Sequence, residues 1–432
     1  MAARAIPGFY YDIEKKRYFP GKDPRGISSN RLNAQPTFIG VAQDSDASTL
    51  SGSRSIFSCL SAIKASKTDT AIRTNLLRQM RNAGYSSTKS SHSIGVVSHR
   101  SCRLTAMAVS SENQAFICGD SFGCINFCRP VVGSFLDMPG VPPTQHYAWN
   151  QEMVLASEIS STQCIGNRYI ATSFGPQPKI LTGVFSEGSE SGHPTICSII
   201  SSSLIQDIWD SHFDGHSVCL AIKGGIAHIE NLERPTVEVH ETGNDAMAIS
   251  RRESCVYAGL RDGRVFRSDL RMSTQGHDML PEVNSLPVTK VSLPRESELF
   301  LARMNGDLYL YDLRMTSPKR GLPVIRKYEG HVNTHTRRIG ICHDPDGEYL
   351  FAAGEDGHVR GWNMRTGHHL DTPPVAVDGE SESNHLLGPH FNSPAVAMHM
   401  TRRGGESLIH VAFADKIKSF QLGMRHWASE GI

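Results

Sequence analysis

The 432-residue chain carries 20 histidines, 43 acids and 10 cysteines, yet the spacings that mark a reaction centre are missing. No His-Glu-x-x-His occurs to put two zinc ligands and a base on one helical face. The pairs His331/His335 and His368/His369 sit in loop-like sequence with no cysteine or acid framework. GSESG at 188–192 puts Glu190 where a nucleophile elbow needs its serine. No Gly-rich phosphate loop ends in Gly-Lys-Ser/Thr, and no dinucleotide fingerprint is present. Cys124 and Cys128 would share a strand face ~13 Å apart, too far for one metal or one disulfide. The other thiols lie scattered, mostly in apolar runs such as AFICGD, which suits buried structural cysteines. The expectation is a non-catalytic binding module with no metal and no cofactor.

The chemistry that remains is recognition. Three similar segments each end with an acid or amide two residues before an arginine: Ser268-Asp269-Leu270-Arg271, Tyr311-Asp312-Leu313-Arg314 and Trp362-Asn363-Met364-Arg365. Residues two apart on a strand share a face, so Asp312 and Arg314 are expected to project together from a strand end onto one rim. A guanidinium there suits bidentate contact with a partner's carboxylates or carbonyls. The alternative is an ion pair within one repeat, of the kind worth ~0–1 kcal/mol at a surface.

The elements that must position these residues are repeats. CVYAGLRDGRVFRSDLRM (Cys255–Met272), LFLARMNGDLYLYDLRM (Leu299–Met315) and LFAAGEDGHVRGWNMR (Leu350–Arg365) each give an apolar run, a Gly-ended turn and an alternating run. Each reads as a tight β-hairpin, because Asp-Gly and Asn-Gly favour φ > 0. Gly263 to Gly306 is 43 residues and Gly306 to Gly357 is 51, close to the ~40–45 of WD propeller blades. Weaker copies occupy Ala115–Cys128, Arg168–Phe185, Val218–Leu232 and Leu408–Gly423, the last turning near Asp415. An apolar strand such as LTAMAVS precedes each. The fold expected is all-β, a seven-bladed WD-repeat β-propeller over residues 93–432, its last blade completed by SIGVVSH (Ser93–His99). EGHVN before the third clear copy places His331 in a structural role, bonded to Asp356 in the hairpin turn, as is typical of such blades.

Residues 1–25 hold an aromatic motif with Phe9, Tyr10, Tyr11, Tyr18 and Phe19. These rings either cover an apolar patch of the propeller or form a recognition element for a partner. Residues 26–92 are expected to be a flexible Ser/Thr-rich segment with one short helix. That helix starts at Thr68 or Asp69, presents Ile72, Leu76, Leu77 and Met80, and ends at Gly84; it packs on its own propeller or in a partner's groove. Residues 129–160 and 371–394 read as long connections, the second acidic and mobile. With 44 basic against 43 acidic side chains there is no global field to draw in nucleic acid, which is not expected as the main partner. No stretch is apolar for the ~18–20 residues that cross a bilayer, and the N-terminus has no apolar signal core, so an intracellular protein without a membrane partner is expected.

IPGFYYDIEKKRYFPG (Ile6–Gly21), together with LYLYDLRM and YEGHVN (Leu308–Met315, Tyr328–Asn333), resembles the WD-repeat receptors of the damaged-DNA-binding-adaptor and cullin-four-associated factor four family. The resemblance implies a substrate receptor of a cullin-four RING ubiquitin ligase, in the nucleus and/or cytoplasm. It also implies that the adaptor is met through WD-x-Arg boxes. Residue by residue these are Asp312 with Arg314, Asp269 with Arg271, and Trp362 with Arg365. Tyr311 and Ser268 depart from the tryptophan of the pattern, and Asn363 from its acid. The target is unknown. Alternatives are a WD-repeat scaffold or assembly factor unconnected with ubiquitin, and a propeller hydrolase with acids or histidines converging on the central channel.

Overall fold

A computed structural model describes residues 9–12, 17–20, 82, 84–86, 88–95, 102–110, 115–130, 147–185, 194–272, 277–280, 285–315, 321–370, 384–403, 406–414 and 416–422. The chain divides between Thr68 and Asp69. In the first unit, β1 (Phe9–Asp12) and β2 (Arg17–Pro20) form a hairpin pairing Tyr10 with Phe19 and Tyr11 with Tyr18. What the aromatic rings cover lies outside the described residues.

The second unit is a seven-bladed β-propeller, as the repeats required. The strand that closes it comes first in sequence, β3 (Lys89–Gly95). Blade 1 is β4 (Leu104–Ser110), β5 (Ala115–Asp120), β6 (Cys124–Pro130) and β7 (Tyr147–Val154). Blade 2 is β8 (Ile159–Ile165), β9 (Arg168–Ser173), β10 (Ile180–Phe185) and β11 (Pro194–Ile200). Blade 3 is β12 (Asp210–Phe213), β13 (Val218–Ile222), β14 (Gly225–Ile229) and β15 (Val237–Glu241). Blade 4 is β16 (Ala246–Arg252), β17 (Cys255–Leu260), β18 (Val265–Asp269) and β19 (His277–Leu280). Blade 5 is β20 (Val288–Ser292), β21 (Glu298–Arg303), β22 (Leu308–Asp312) and β23 (Val324–Tyr328). Blade 6 is β24 (Ile341–His343), β25 (Tyr349–Ala353) and β26 (Val359–Asn363), with a single bridge from Trp362 to His369 at its edge. Blade 7 is β27 (Ala397–Arg403), β28 (Glu406–Ala412) and β29 (Lys416–Leu422), on which β3 pairs as the outer strand. The closing strand thus starts at Lys89, four residues before the expected Ser93; His99 and the turn residue Asp415 lie outside the described residues.

Each blade is apolar on both faces because it is sandwiched between neighbours. This is why second strands such as AFICGD and VCLAI are buried at every position instead of alternating. The core is seven clusters, one at each blade–blade seam. Blade 7 meets blade 1 through Ile94, Ala412 and Ile417 against Leu104 and Phe116, so the ring is shut by side chains as well as by β3. A charge also spans a seam: the fully buried Arg303 donates to the Gly263 and Leu286 carbonyls at 3.1 Å.

Three connections differ from expectation. The stretch 129–160 is not all loop, since it holds β7, whose mixed sequence YAWNQEMV hides an outer strand. The acidic loop 371–394 is anchored at its C-terminal end, where Leu386 and Phe391 are buried and the Thr88 carbonyl accepts from the His385 N–H at 3.0 Å. Gly84 does not end the helix, because residues 84–86 are still helical. Tyr85 there stacks on Tyr349 with ring centres 4.0 Å apart and joins the seam of blades 6 and 7, so this end of the helix packs on its own propeller. Thr68 to Arg81 lie outside the described residues.

Candidate docking face

The three boxes end the third strand of three successive blades in one register. Asp269 lies opposite Cys255, Asp312 opposite Glu298, and Asn363 opposite Tyr349, each the first residue of a second strand. The boxes therefore share the face that carries the hairpin turns between first and second strands. Polar links run along those turns from blade to blade. Arg168 donates to the Gly215 carbonyl at 3.1 Å, Arg251 meets Asp214 at 3.0 Å, and Arg252 donates to the Leu293 carbonyl. Arg295 donates to the Gly347 carbonyl at 2.6 Å, and Arg402 meets Asp346 at 2.7 Å.

Two of the boxes are built alike. Asp312 Oδ1 accepts from the Arg314 N–H and Nε, both at 2.9 Å, and Oδ2 accepts from Nη2 at 2.7 Å. Asp269 holds Arg271 in the same way at 3.0, 3.0 and 2.7 Å. Each carboxylate both caps the turn and grips the side chain, and the hydrogen bonds from the arginine hold both Asp312 and Asp269 down at about 2. Arg314 is not on the strand; it lies in a 3-10 turn, Leu313–Met315, so it meets Asp312 through the turn and not through strand alternation. The ion pair within one blade is present, yet the Arg314 and Arg271 side chains stay 71% and 73% exposed.

The third box has a different chemistry. Asn363 Oδ1 caps the turn by accepting from the Arg365 and Thr366 N–H groups at 3.0 and 3.1 Å. That one oxygen is taken by the two backbone N–H groups and the amide carries no charge to draw the guanidinium, and Arg365 reaches Glu348 at 3.9 Å. Asn363 Nδ2 donates instead to Asn82 Oδ1, which also accepts from the Tyr349 hydroxyl at 2.8 Å. Trp362 is fully buried and donates to the Glu329 carbonyl at 2.9 Å, so it offers a partner no surface.

His331 is not bonded to Asp356. Its Nδ1 faces the Gly306 carbonyl at 3.1 Å and its Nε2 the Ala353 carbonyl at 2.9 Å, which ties two neighbouring blades together. Burial pushes it below the usual histidine value against the pull of those carbonyls. Asp356 holds Arg360 at 3.0 and 2.6 Å, a longer-reaching cation that outcompetes the neutral imidazole. His335 meets Glu355 at 3.2 Å, and His369 lies against Trp362 with ring centres 5.2 Å apart, so the histidine pairs have separate structural partners.

Sequence reading missed Met272 and Met315, which follow the two arginines and are 55% and 71% exposed. The signal was there: Asp-Leu-Arg-Met occurs twice, 43 residues apart. A cation held beside an exposed, adaptable thioether is the composition of a protein-binding surface.

No family model matches the chain. Over 122 residues, 28% of its length, it is 33% identical to the Bos taurus protein DDB1- and CUL4-associated factor 4. The Homo sapiens protein of the same name is 31% identical over 122 residues, and an uncharacterized WD repeat-containing protein of Caenorhabditis elegans is 29% identical over 170. The matched region covers 23% of the bovine and human proteins and 28% of the nematode one, about a quarter of each. The family named by the motifs is the one whose curated members align.

Proposed function

We propose that the chain is the substrate-receptor subunit of a cullin-four RING ubiquitin ligase, non-catalytic itself, at work in the nucleus and/or cytoplasm. It meets the adaptor through Asp312 with Arg314 and Asp269 with Arg271, with Arg365 alongside, and presents a target protein elsewhere on the ring. One observation carries this reading: two identically built, outward-facing arginines, each followed by an exposed methionine, in successive blades of one face. The names of the relatives supply the partner's identity. Each guanidinium has five donors, so binding its own aspartate through two of them leaves three for an adaptor and fixes the direction in which they point.

The test is co-purification from cell extract of the adaptor and cullin with wild type and with an Arg271→Glu/Arg314→Glu variant. Loss of both partners from a variant that still melts cooperatively is the expected result, the melt falling modestly because each substitution removes an exposed ion pair and sets a like charge beside Asp269 or Asp312. Equal recovery with wild type and variant would remove the arginines from the interface. Absence of adaptor and cullin from the wild-type sample would leave the scaffold reading in their place.

A further inference from the structure

The first strands of all seven blades line a central channel of about 320 Å³, near the lower end of the ~300–1,000 Å³ of ligand sites. Its wall carries Lys290, Arg337 and Arg338 against one acid, Asp210. Asp210 is already engaged, accepting from the Ser211 N–H at 2.9 Å and the Ile249 N–H at 3.3 Å. Arg338 pairs with Glu158 through Nη1, while its Nη2 is buried with no hydrogen-bond partner among the described residues. Three more polar atoms of the same wall are in that state: Trp209 Nε1, Thr162 Oγ1 and His399 Nδ1. Burial lowers Arg337 and Arg338 to about 10, which leaves both cationic at neutral pH. Arg338 Nη2 and Trp209 Nε1 are donors only, and the surplus of cations over acids makes this a wall suited to a ligand that brings negative charge.

The mouth of this channel faces away from the boxes. Trp209 directly precedes β12, Arg337 and Arg338 precede β24, and Phe174 and Arg261 follow β9 and β17, all at strand ends remote from the hairpin turns described above. The Arg337 guanidinium lies 4.4 Å over the Trp209 ring and 5.7 Å over Phe174, and Arg261 lies 5.3 Å over Trp209. Cations already lie over the indole, which takes it from base stacking, one of the two parts, with a backbone-tracking cationic groove, of single-strand binding. A narrow, cationic mouth with fixed donors fits an extended peptide instead, whose backbone supplies carbonyls and whose side chains supply charge.

We infer that the channel mouth binds an acidic peptide segment of a partner protein, with a carboxylate entering between Lys290, Arg337 and Arg338. The inference needs no adaptor and stands apart from the ligase reading.

It is tested on the purified full-length chain alone, by fluorescence anisotropy with a labelled tetraglutamate peptide, its tetraglutamine counterpart and an oligouridine RNA. The glutamate peptide is expected to bind at least about tenfold more tightly than the glutamine one, as charge-assisted contacts require. Lys290→Met is expected to weaken it about tenfold at an unchanged melt, and Lys290→Arg to retain it. Arg337→Gln extends the result if it folds; Lys290 is only half-buried and serves if it does not. No binding of the glutamate peptide, equal binding of the two peptides, full binding by Lys290→Met, or tighter binding of the RNA would each overturn the inference.

Discussion

The Asp312 carboxylate receives two N–H groups of one guanidinium and the backbone N–H that begins the turn, and each of these favours the charged form. Its value of about 2 lies below the ~3.9 of a free aspartate, so the interaction stabilises the fold above about pH 4. As the pH falls from about 4 towards 2, the unfolded chain takes up the proton first and that contribution is lost. In Arg314→Gln the Asp312 titration, followed by carbonyl NMR, is expected to move up towards the free value; a midpoint still near 2 would mean that the turn N–H alone holds the carboxylate. At this scale the ion pairs Asp312–Arg314 and Asp269–Arg271 were legible as the within-repeat alternative, because an acid and an arginine two apart leave few other partners in reach. It misled at His331 and Trp362, since what a residue bonds across a seam depends on the neighbouring blade and not on its own repeat.

Strands were legible where turns punctuate them. Gly263, Gly306 and Gly357 adopt φ of 88°, 87° and 74°, a region that only glycine enters freely, and the hairpins around them fell where expected. Outer strands were hidden because one face meets solvent: VEVHE in β15 is exposed or half-buried throughout, and β7 sits in Pro-rich sequence. Tyr85 gave no sign of its place, because the tyrosine it stacks on is more than 260 residues away. Nor did Gly119 and Gly259, inside β5 and β17, look special. A Cβ at Gly119 would collide with the Ile159 side chain of the next blade, and one at Gly259 with Val288 in the same relation. Close approach at these glycines lets one blade's first strand lie flat on its neighbour. Gly119→Ala is therefore expected to cost about 1–3 kcal/mol in urea denaturation. An unchanged midpoint would show that the seam gives way without strain.

At the scale of the ring, two faces separate two kinds of chemistry: outward arginines with methionines at the hairpin turns, and inward cations at the channel mouth. A chain cut to begin at residue 69 is expected to keep its melting transition, whereas one cut to begin at residue 96 loses β3 and is expected to melt lower and associate through the bared edge of β29, seen as larger species in size-exclusion chromatography. Equal melts for the two would deny β3 its part in closure. The seven-fold count was legible from repeats, and the clasp from the shortage of a fourth strand. The clasp also imposes an order in time. β3 is among the earliest of the described strands to leave the ribosome, and β29, onto which Ile94 and Lys89 must align, is the last. Until β29 is made, β3 has no mate and the first and last blades have no seam between them, so the nascent chain must be kept from pairing with other chains until synthesis reaches β29.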